Sequence, residues 1–334
     1  MKKVNKLFPV SLSMVLAFLL FMLSIWYYFF GRKTEITVGL KWVNQAQFAG
    51  MFVAQEQGFY GGNGLDVNFK EFDFETNLSD DLISGRTDIQ LMSAEEFLIT
   101  VDSGAEITAV ATVYQFSPFA LVSLTDSGIK NPADFVGKTL GNKGGKKEEE
   151  IFYALLLNSV GLSLEDVNLV SLDFKTKELE DLQQKVDVNV LYRTDQLFFF
   201  DQQNISYNII YPEEYGINIY NDVIVVRNEL IKNNPGLIRD FLAATVKGWE
   251  LAFKDNELAI KDTMKYVTNS SYLNEEYQRY ILKKSQPLIQ PDSNTSIGSM
   301  NYYSWLQLYT EMVEKGFIKH DLDLNLIQTN EFLP

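Results

Sequence analysis

The sequence predicts an α/β protein of two lobes with mainly parallel sheets, preceded by one transmembrane helix. A chain of 334 residues exceeds one ordinary core and suggests two domains with an appended segment. Four strand-and-helix steps follow one another within residues 35–114, and a second alternating region begins near residue 117. Strands that alternate with helices in this way form a largely parallel sheet covered by helices.

The first lobe is predicted from runs of β-branched residues that alternate with segments whose apolar residues recur at helical spacing. A strand at 223–226 returns to this lobe, and long amphipathic helices follow it. The predicted strands are 36–40, 65–69, 88–92, 107–114 and 223–226, and the predicted helices are 46–58, 78–84, 94–101, 235–255, 257–267, 275–284 and 302–315.

The second lobe repeats the alternation between two crossovers of the chain. A glycine-bearing turn at 141–145 precedes a helix at 147–160. Its predicted strands are 119–124, 167–172 and 186–192. The predicted organisation is a cytoplasmic tip and transmembrane anchor at 1–33, a first lobe of 34–117 plus 218–334, and a second lobe of 118–217.

An N-terminal apolar segment predicts the anchor. The 24 residues 7–30 are almost all apolar or aromatic, with three lysines before them and two basic residues after them. At about 1.5 Å per residue they exceed the roughly 30 Å hydrocarbon core, and no small-residue cleavage site follows. The alternatives are a cleaved signal peptide and a buried core helix. The lysine excess before the span predicts a single-pass protein of the cell membrane with its binding domain outside the cytoplasm.

Composition excludes several classes of function. The formal charge is −15, and residues 34–334 carry 24 basic against 44 acidic residues, so the body of the protein repels nucleic acid. There is no cysteine and one histidine, His320, which removes thiol nucleophiles and histidine-rich metal sites. The adjacent carboxylates at 80–81 and 148–150 do not converge on one point, and we expect them on solvated faces. We therefore expect no catalytic residue, metal or cofactor.

Residues 40–60 carry a distinctive motif. Trp42 ends a strand, a polar stretch follows, and then come Ala-Gly-Met-Phe-Val-Ala at 49–54 and Gly-Phe-Tyr at 58–60. This pattern resembles the ABC-transporter substrate-binding proteins for thiamine pyrimidine precursors and for sulfonate, nitrate or taurine. The later blocks 64–67, 88–96, 129–139 and 215–222 agree in order, so the resemblance covers about residues 35–251.

The resemblance implies a periplasmic-binding-protein-like fold of the second type, with two lobes joined by two crossovers and the ligand clamped between them. In open parallel sheets, ligands bind beyond the carboxyl ends of the strands. The residues that we expect to contact the ligand lie at such ends or in the family's motifs. They are Trp42, Asn44, Gln45, Gln47, Phe48, Ser93, Glu95, Gln115, Ser117, Asn142, Gly144, Gly145, Tyr192, Asp195 and Asp222.

Trp42 and its neighbours are the first group of candidates. The indole can stack on a flat heteroaromatic ligand while the side-chain amides of residues 44, 45 and 47 bond to ring nitrogens and oxygens; alternatively, Trp42 caps the core. Phe48 stands where many pyrimidine-precursor members carry histidine. That departure weakens a pyrimidine assignment and resembles the variants associated with riboflavin-type ligands.

The remaining candidates come from later turns. Ser93 is either an ordinary N-cap or, with the backbone N–H groups beside it, a donor for a carbonyl or anion. The turn at 141–145 can hold an acidic group of the ligand, with its lysines in solvent. Tyr192 and Asp195 follow a strand of the second lobe, where the resemblance implies an aromatic residue and an acid at the cleft.

The resemblance implies a membrane-anchored binding component of an ABC importer. Its ligand would be a small heteroaromatic vitamin or vitamin precursor, either a thiamine pyrimidine precursor or a riboflavin-like compound, and its partners a permease and an ATPase. We expect a monomer. The alternatives are a sulfonate- or nitrate-type binding protein, a tethered sensor, and the family's thiamine pyrimidine synthase, which uses a histidine and a cysteine-rich segment that this chain lacks.

Overall fold

In the computed structural model, two five-stranded sheets form two lobes with a cleft between them. The structure describes residues 33–73, 75, 77–143, 147–173 and 177–334, together with Phe21 and Met22. Within this described part of the chain, no helix is long and apolar enough to cross a membrane. Apart from Phe21 and Met22, the predicted span at 7–30 lies outside the described residues, so the anchor stays a prediction.

The two sheets have the same strand order. The strands are β1 (Thr34–Gly39), β2 (Leu65–Lys70), β3 (Ile89–Met92), β4 (Ile107–Tyr114), β5 (Phe119–Leu124), β6 (Thr139–Lys143), β7 (Asn168–Leu172), β8 (Val188–Tyr192), β9 (Tyr207–Ile210) and β10 (Asn221–Arg227). Lobe 1 contains the sheet β2-β1-β3-β10-β4, and lobe 2 contains β7-β6-β8-β5-β9. The chain passes between them at 115–118 and 211–220; the exact lobe boundaries stay a prediction.

Both sheets are mixed, whereas the sequence predicts mainly parallel ones. In lobe 1, β1 is parallel to β2 and β3, but β10 is antiparallel to β3 and β4. In lobe 2, β6 is parallel to β7 and β8, but β5 is antiparallel to β8 and β9. The reversed strands are the first after each crossing. Because the other strands end at the cleft, a strand that enters directly across the cleft begins there and runs the opposite way.

Thirteen helices are described around the sheets. They are α1 (Ala49–Glu56), α2 (Phe59–Gly62), α3 (Leu78–Ile83), α4 (Ala94–Asp102), α5 (Lys147–Ser159), α6 (Glu178–Gln184), α7 (Leu197–Gln202), α8 (Asn228–Asn233), α9 (Pro235–Lys254), α10 (Asn256–Thr263), α11 (Glu275–Ile289), α12 (Tyr302–Glu314) and α13 (Leu324–Ile327).

Several predicted elements differ from the observed ones. The helix predicted at 46–58 begins as a short 3-10 turn, and the left-handed Gly58 (φ 71°) separates α1 from α2. The predicted turn at 141–145 is wrong in its first part, because β6 continues to Lys143. Helix α11 runs past Pro287 to residue 289, five residues beyond its predicted end. Strands β6 and β9 and helices α2, α6, α7, α8 and α13 were not predicted.

Equivalent interactions recur in the two lobes although the sequence contains no repeat. Asp88 Oδ2 accepts a hydrogen bond from the backbone N–H of Thr37 at 2.8 Å in lobe 1. Asp187 Oδ2 accepts one from the backbone N–H of Thr139 at 2.8 Å in lobe 2. Each aspartate precedes the third strand of its sheet in the order above and ties it to the central parallel strand. The lobes therefore share local chemistry as well as strand order.

Three clusters of buried apolar side chains form the core of the protein. The first fills the face of lobe 1 that α1, α9 and α11 cover. The second lies where α4, α5 and α12 pack and contains residues of both sheets. The third is a small cluster of lobe 2 under α6 and α7. The cleft between the lobes is therefore bounded by well-packed walls, which position the side chains described next.

Two carboxylates that we expected on solvated faces are buried. Asp81 is 2% exposed; burial opposes its ionisation, but hydrogen bonds from Lys70 and Arg86 outweigh burial and hold the pKa of Asp81 below its usual value. Glu149 is 6% exposed and accepts a hydrogen bond from the backbone N–H of Lys143 at 2.7 Å. Charge runs in the sequence do not show which member turns inward.

Candidate functional site

A cavity of about 230 Å³ lies between the lobes, at the carboxyl ends of β1, β6 and β8. Lobe 1 contributes the segment after β1 and the region of α11, and lobe 2 contributes residues from β5, β6, β8, α5, α6 and α7. This is the place at which α/β sheets of this kind bind ligands. The cavity is lined by Lys41, Trp42, Phe119, Lys143, Glu149, Glu178, Val190, Leu191, Tyr192, Asp195, Gln196, Phe199, Tyr272 and Tyr277.

Aromatic rings from both lobes form much of the wall. Trp42 stacks on Phe72 of lobe 1, with ring centroids 6.3 Å apart and planes 19° apart. On the lobe 2 side, Phe119 and Tyr192 meet edge to face at 4.7 Å. Tyr272 lines the same cavity from lobe 1, and burial raises the pKa of its hydroxyl. Walls of this kind accept a flat ring by stacking.

Lys41 is a buried cation that lines the cavity. Its Nζ donates a hydrogen bond to Asn221 Oδ1 at 2.5 Å and lies 4.0 Å from Asp222 Oδ1. The same Nζ lies 5.9 Å from the centroid of the Tyr192 ring. The position of Lys41 next to Trp42 was the available sequence signal, but a lysine beside a strand end is usually solvated.

Lys143 is a second buried cation, and the expectation that it lies in solvent is wrong. It is the last residue of β6 and is 6% exposed. Its Nζ donates hydrogen bonds to Asp181 Oδ2 at 2.6 Å and to the Asp173 carbonyl at 3.2 Å. Asp181 also accepts a hydrogen bond from Lys185 at 2.9 Å. The carboxylate of α6 thus holds the lysine against the cavity wall.

Two glutamines of the first motif organise the polar side of the cleft. Gln47 Nε2 donates to both carboxylate oxygens of Asp222, at 3.0 and 2.9 Å. Gln45 Nε2 donates to Gln47 Oε1 at 3.0 Å and, across the lobes, to Asp195 Oδ2 at 3.3 Å. Asp222 has a left-handed backbone (φ 50°), which aspartate tolerates better than most residues. All four residues are at most 2% exposed, and the hydrogen bond from Gln45 to Asp195 connects the two lobes.

Asp195 is an acid of the cavity lining with a strongly raised pKa. Its burial raises the pKa to about 7, the hydrogen bond from Gln45 opposes this rise, and the charge of Glu178 adds to it. Burial also raises the pKa of Glu178. Among the described residues, Asp195 Oδ1 has no hydrogen-bond partner. Asp195 can therefore donate to a ligand when protonated or accept from one when ionised.

The raised pKa of Asp195 predicts a pH dependence of stability. The folded value of about 7 exceeds the ordinary value of 3.8, so between them the folded protein holds a proton that the unfolded chain has released. Stability therefore falls as the pH rises, by about 1.4 kcal/mol per pH unit. When the pH is raised from 5 to 6, the unfolding free energy of Asp195→Asn should increase by about 1.4 kcal/mol relative to that of the parent chain. Denaturant unfolding at several pH values measures both free energies. If they changed in parallel with pH, the prediction would be wrong.

The predicted site residues fall into two groups near the cleft. Three of them line the cavity: Trp42, Tyr192 and Asp195. Three more, Gln45, Gln47 and Asp222, form the hydrogen-bonded network beside it. Their contact with a ligand stays a prediction.

The other described candidates are not among the residues that line this cavity, and their contact with a ligand also stays a prediction. Phe48 is 1% exposed in the lobe 1 core, edge to face with Phe52. Ser93 Oγ accepts from the Glu96 backbone N–H at 3.2 Å, as an ordinary N-cap does. Asn44 and Gln115 donate hydrogen bonds to the backbone carbonyls of Tyr266 and Ser299, respectively. Ser117 Oγ accepts a hydrogen bond from the Phe119 backbone N–H. The last two described candidates, Glu95 and Asn142, are buried. Gly144 and Gly145 lie outside the described residues.

Several lining residues were missed for a common reason. Tyr272 and Tyr277 belong to the C-terminal part of lobe 1, about 230 positions from Trp42, and Phe199 lies on the unpredicted helix α7. No motif marks them, because an aromatic residue at any of these positions could equally well pack in a core. Across the described residues, no cluster of three or more His, Asp or Glu side chains could hold a metal ion.

Comparison with known proteins identifies related chains. A riboflavin-binding protein, RibY of Chloroflexus aurantiacus, is 25% identical over 307 residues, which cover 90% of this chain and 86% of the relative. A formylaminopyrimidine-binding protein of Halalkalibacterium halodurans is 22% identical, over 81% of this chain and 82% of the relative. A relative from Legionella pneumophila is named 4-amino-5-hydroxymethyl-2-methylpyrimidine phosphate synthase. It is 22% identical, over 90% of this chain and 93% of the relative.

Solved structures agree on the fold. The periplasmic aliphatic sulphonate-binding protein SsuA of Escherichia coli superposes with a TM-score of 0.69 at 15% identity, over 88% of this chain and 91% of that chain. The predicted periplasmic-binding-protein-like fold is therefore confirmed. The profile described as NMT1/THI5 like matches residues 45–259. The chain is a member of the NMT1/THI5-like family.

Proposed function

We propose that this protein is the membrane-anchored ligand-binding component of an ABC importer. Its ligand is a small flat heteroaromatic vitamin or vitamin precursor, a riboflavin-like compound or a thiamine pyrimidine precursor, held between the lobes outside the cytoplasm. A permease and an ATPase are the expected partners, and the N-terminal segment ties the protein to the membrane.

The carrying observation is the composition of the cavity wall. Six aromatic residues from the two lobes line one cavity: Trp42, Phe119, Tyr192, Phe199, Tyr272 and Tyr277. A few polar groups lie among them, and such a mixture binds a ring by stacking and orients it by hydrogen bonds. The names of two relatives, a riboflavin-binding and a formylaminopyrimidine-binding protein, support the same class of ligand. The wall contains Lys41 and Lys143, but each already has a carboxylate partner, Asp222 and Asp181 respectively. The acids of the wall, Glu149, Glu178 and Asp195, then disfavour a sulfonate or nitrate.

Binding without turnover is part of the proposal. The related synthase name is the reason to consider an enzyme, and the absence of cysteine together with a single histidine argues against the family's known chemistry. His320 lies on the surface, where its Nδ1 is 3.0 Å from Asp102 Oδ1, and it is not part of the cavity lining. The cavity can therefore hold an aromatic ring, but its lining contains no histidine that such a reaction could consume.

The test uses the full-length chain. We expect it in the membrane fraction with an intact N-terminus, and after detergent extraction we expect calorimetry to show binding of riboflavin or of 4-amino-5-hydroxymethyl-2-methylpyrimidine at about micromolar affinity or tighter. Taurine and nitrate serve as controls and should not bind. Mass spectrometry of small molecules that survive native purification would identify the ligand directly.

Three results would contradict separate parts of the proposal. An N-terminus near Thr34 would exclude the uncleaved anchor. Consumption of pyridoxal phosphate, or loss of mass at His320, would favour the synthase. Tight binding of taurine or nitrate with no binding of heteroaromatic compounds would favour the sulfonate- or nitrate-type function. Genes for a permease and an ATPase beside this gene would favour the importer over a tethered sensor.

A further inference from the structure

Phe198 crosses from one lobe into the core of the other. Helix α7 belongs to lobe 2, because Leu197 and Phe200 pack with the lobe 2 sheet in its small apolar cluster. Phe198, between them, turns the opposite way and is a member of the lobe 1 core cluster. Only 6% of Phe198 is exposed. Its burial therefore depends on the lobes lying together.

The contact is made by α7 of lobe 2 and α11 of lobe 1. The Phe198 ring centroid lies 5.0 Å from that of Tyr277 and 5.4 Å from that of Tyr280, the latter edge to face. Polar contacts flank the rings: the Tyr280 hydroxyl donates to Asp201 Oδ2 at 3.4 Å, and Gln202 Nε2 reaches Glu276 at 3.5 Å. All of these contacts come from neighbouring residues of the short helix α7, so we expect them to form and break together.

Phe198 lies behind the cavity wall and is not part of it. Its neighbour Phe199 and its partner Tyr277 both line the cavity, and their rings are 4.9 Å apart. Phe198 is absent from the lining. A change at residue 198 can therefore alter how the lobes meet while the ligand keeps every side chain that faces it.

We propose that Phe198 is a latch that stabilises the closed arrangement of the lobes and so raises ligand affinity without contacting the ligand. The proposal rests on the proposed binding of a ligand in this cleft. Separating the lobes would return a large apolar ring to water, which is unfavourable. Removing the ring should shift the population towards open lobes, and apparent affinity falls with the fraction of protein that is competent to bind.

The test measures the distance between the lobes in the full chain without ligand. Because the chain has no cysteine, Glu165→Cys in lobe 2 and Lys254→Cys in lobe 1, both exposed, give two unique sites for spin labels. We expect Phe198→Ala to shift the distance distribution relative to the same labelled chain with Phe198. Riboflavin affinity, measured by calorimetry, should fall about tenfold, equivalent to about 1.4 kcal/mol.

Two further variants separate a latch from general damage. Phe200→Ala removes an equal ring from the same helix but from the core of lobe 2, and should lower the melting temperature without changing the distance distribution. Phe198→Leu keeps an apolar side chain, so its distance distribution should lie between those of the parent chain and Phe198→Ala. Unchanged distances in Phe198→Ala, or an equal change in Phe200→Ala, would overturn the proposal. If neither the parent chain nor any variant bound riboflavin, the proposed ligand would be wrong. The distances would still test the latch, because they are measured without ligand.

Discussion

Replacing Asp181 with alanine is expected to lower the free energy of unfolding by about 3–5 kcal/mol, the usual cost of breaking a buried ion pair from one side. Asp181 is fully buried and bonds to Lys143 Nζ at 2.6 Å. Without the carboxylate, the Lys143 ammonium, on a side chain that is 8% exposed, would lose an ionised partner. Denaturant unfolding of the parent chain and the variant measures the difference.

Two control variants show whether the buried pair is responsible. Lys185 also bonds to Asp181, but its side chain is 38% exposed, so Lys185→Ala should cost less than about 1 kcal/mol. The double variant Asp181→Leu with Lys143→Met removes both charges and should recover most of the stability, because neither member of the pair is left as a buried charge without the other. Equal losses for Asp181→Ala and Lys185→Ala would contradict the role assigned to burial.

Much of the fold was predictable because local pattern and tertiary burial agree. The strand predicted at 119–124 is observed with those bounds, and the helix predicted at 147–160 ends one residue earlier. The direction of β5 and β10 was not predictable from their composition, since an apolar strand reads alike in either direction. Direction follows from where the chain crosses the cleft, which depends on the whole topology.

The site was predictable only where a motif and a strand end coincide. Trp42 lies three residues beyond the end of β1 and Asp195 three residues beyond the end of β8, and both line the cavity. Lys143 could not be predicted as buried, because its partner Asp181 is 38 positions away on a helix without a clear pattern. Phe198 is one of three successive phenylalanines, 198–200, and nothing local distinguishes the ring that packs on the other lobe. Such assignments depend on contacts between distant segments.

The structure places Trp42 where a structural and a ligand-binding role can be told apart. The indole is half-buried, stacks on Phe72 along one side and lines the cavity with the remainder. It also packs against the edge of the lobe 1 core without belonging to its fully buried members. A Trp held on one face by its own lobe offers its other surface to a ligand at little additional conformational cost.

Trp42→Ala should therefore weaken ligand binding by about 1–3 kcal/mol, the range for losing a base-sized ring stacked on an aromatic residue. This corresponds to an affinity about five- to 150-fold lower by calorimetry on the identified ligand. Trp42→Phe retains a stacking ring and should lose less. A loss of about 3–5 kcal/mol in the unfolding free energy of the ligand-free variant would instead identify Trp42 as a core residue. Unchanged affinity in a folded Trp42→Ala protein would move the binding site away from the first strand and from the cavity described here.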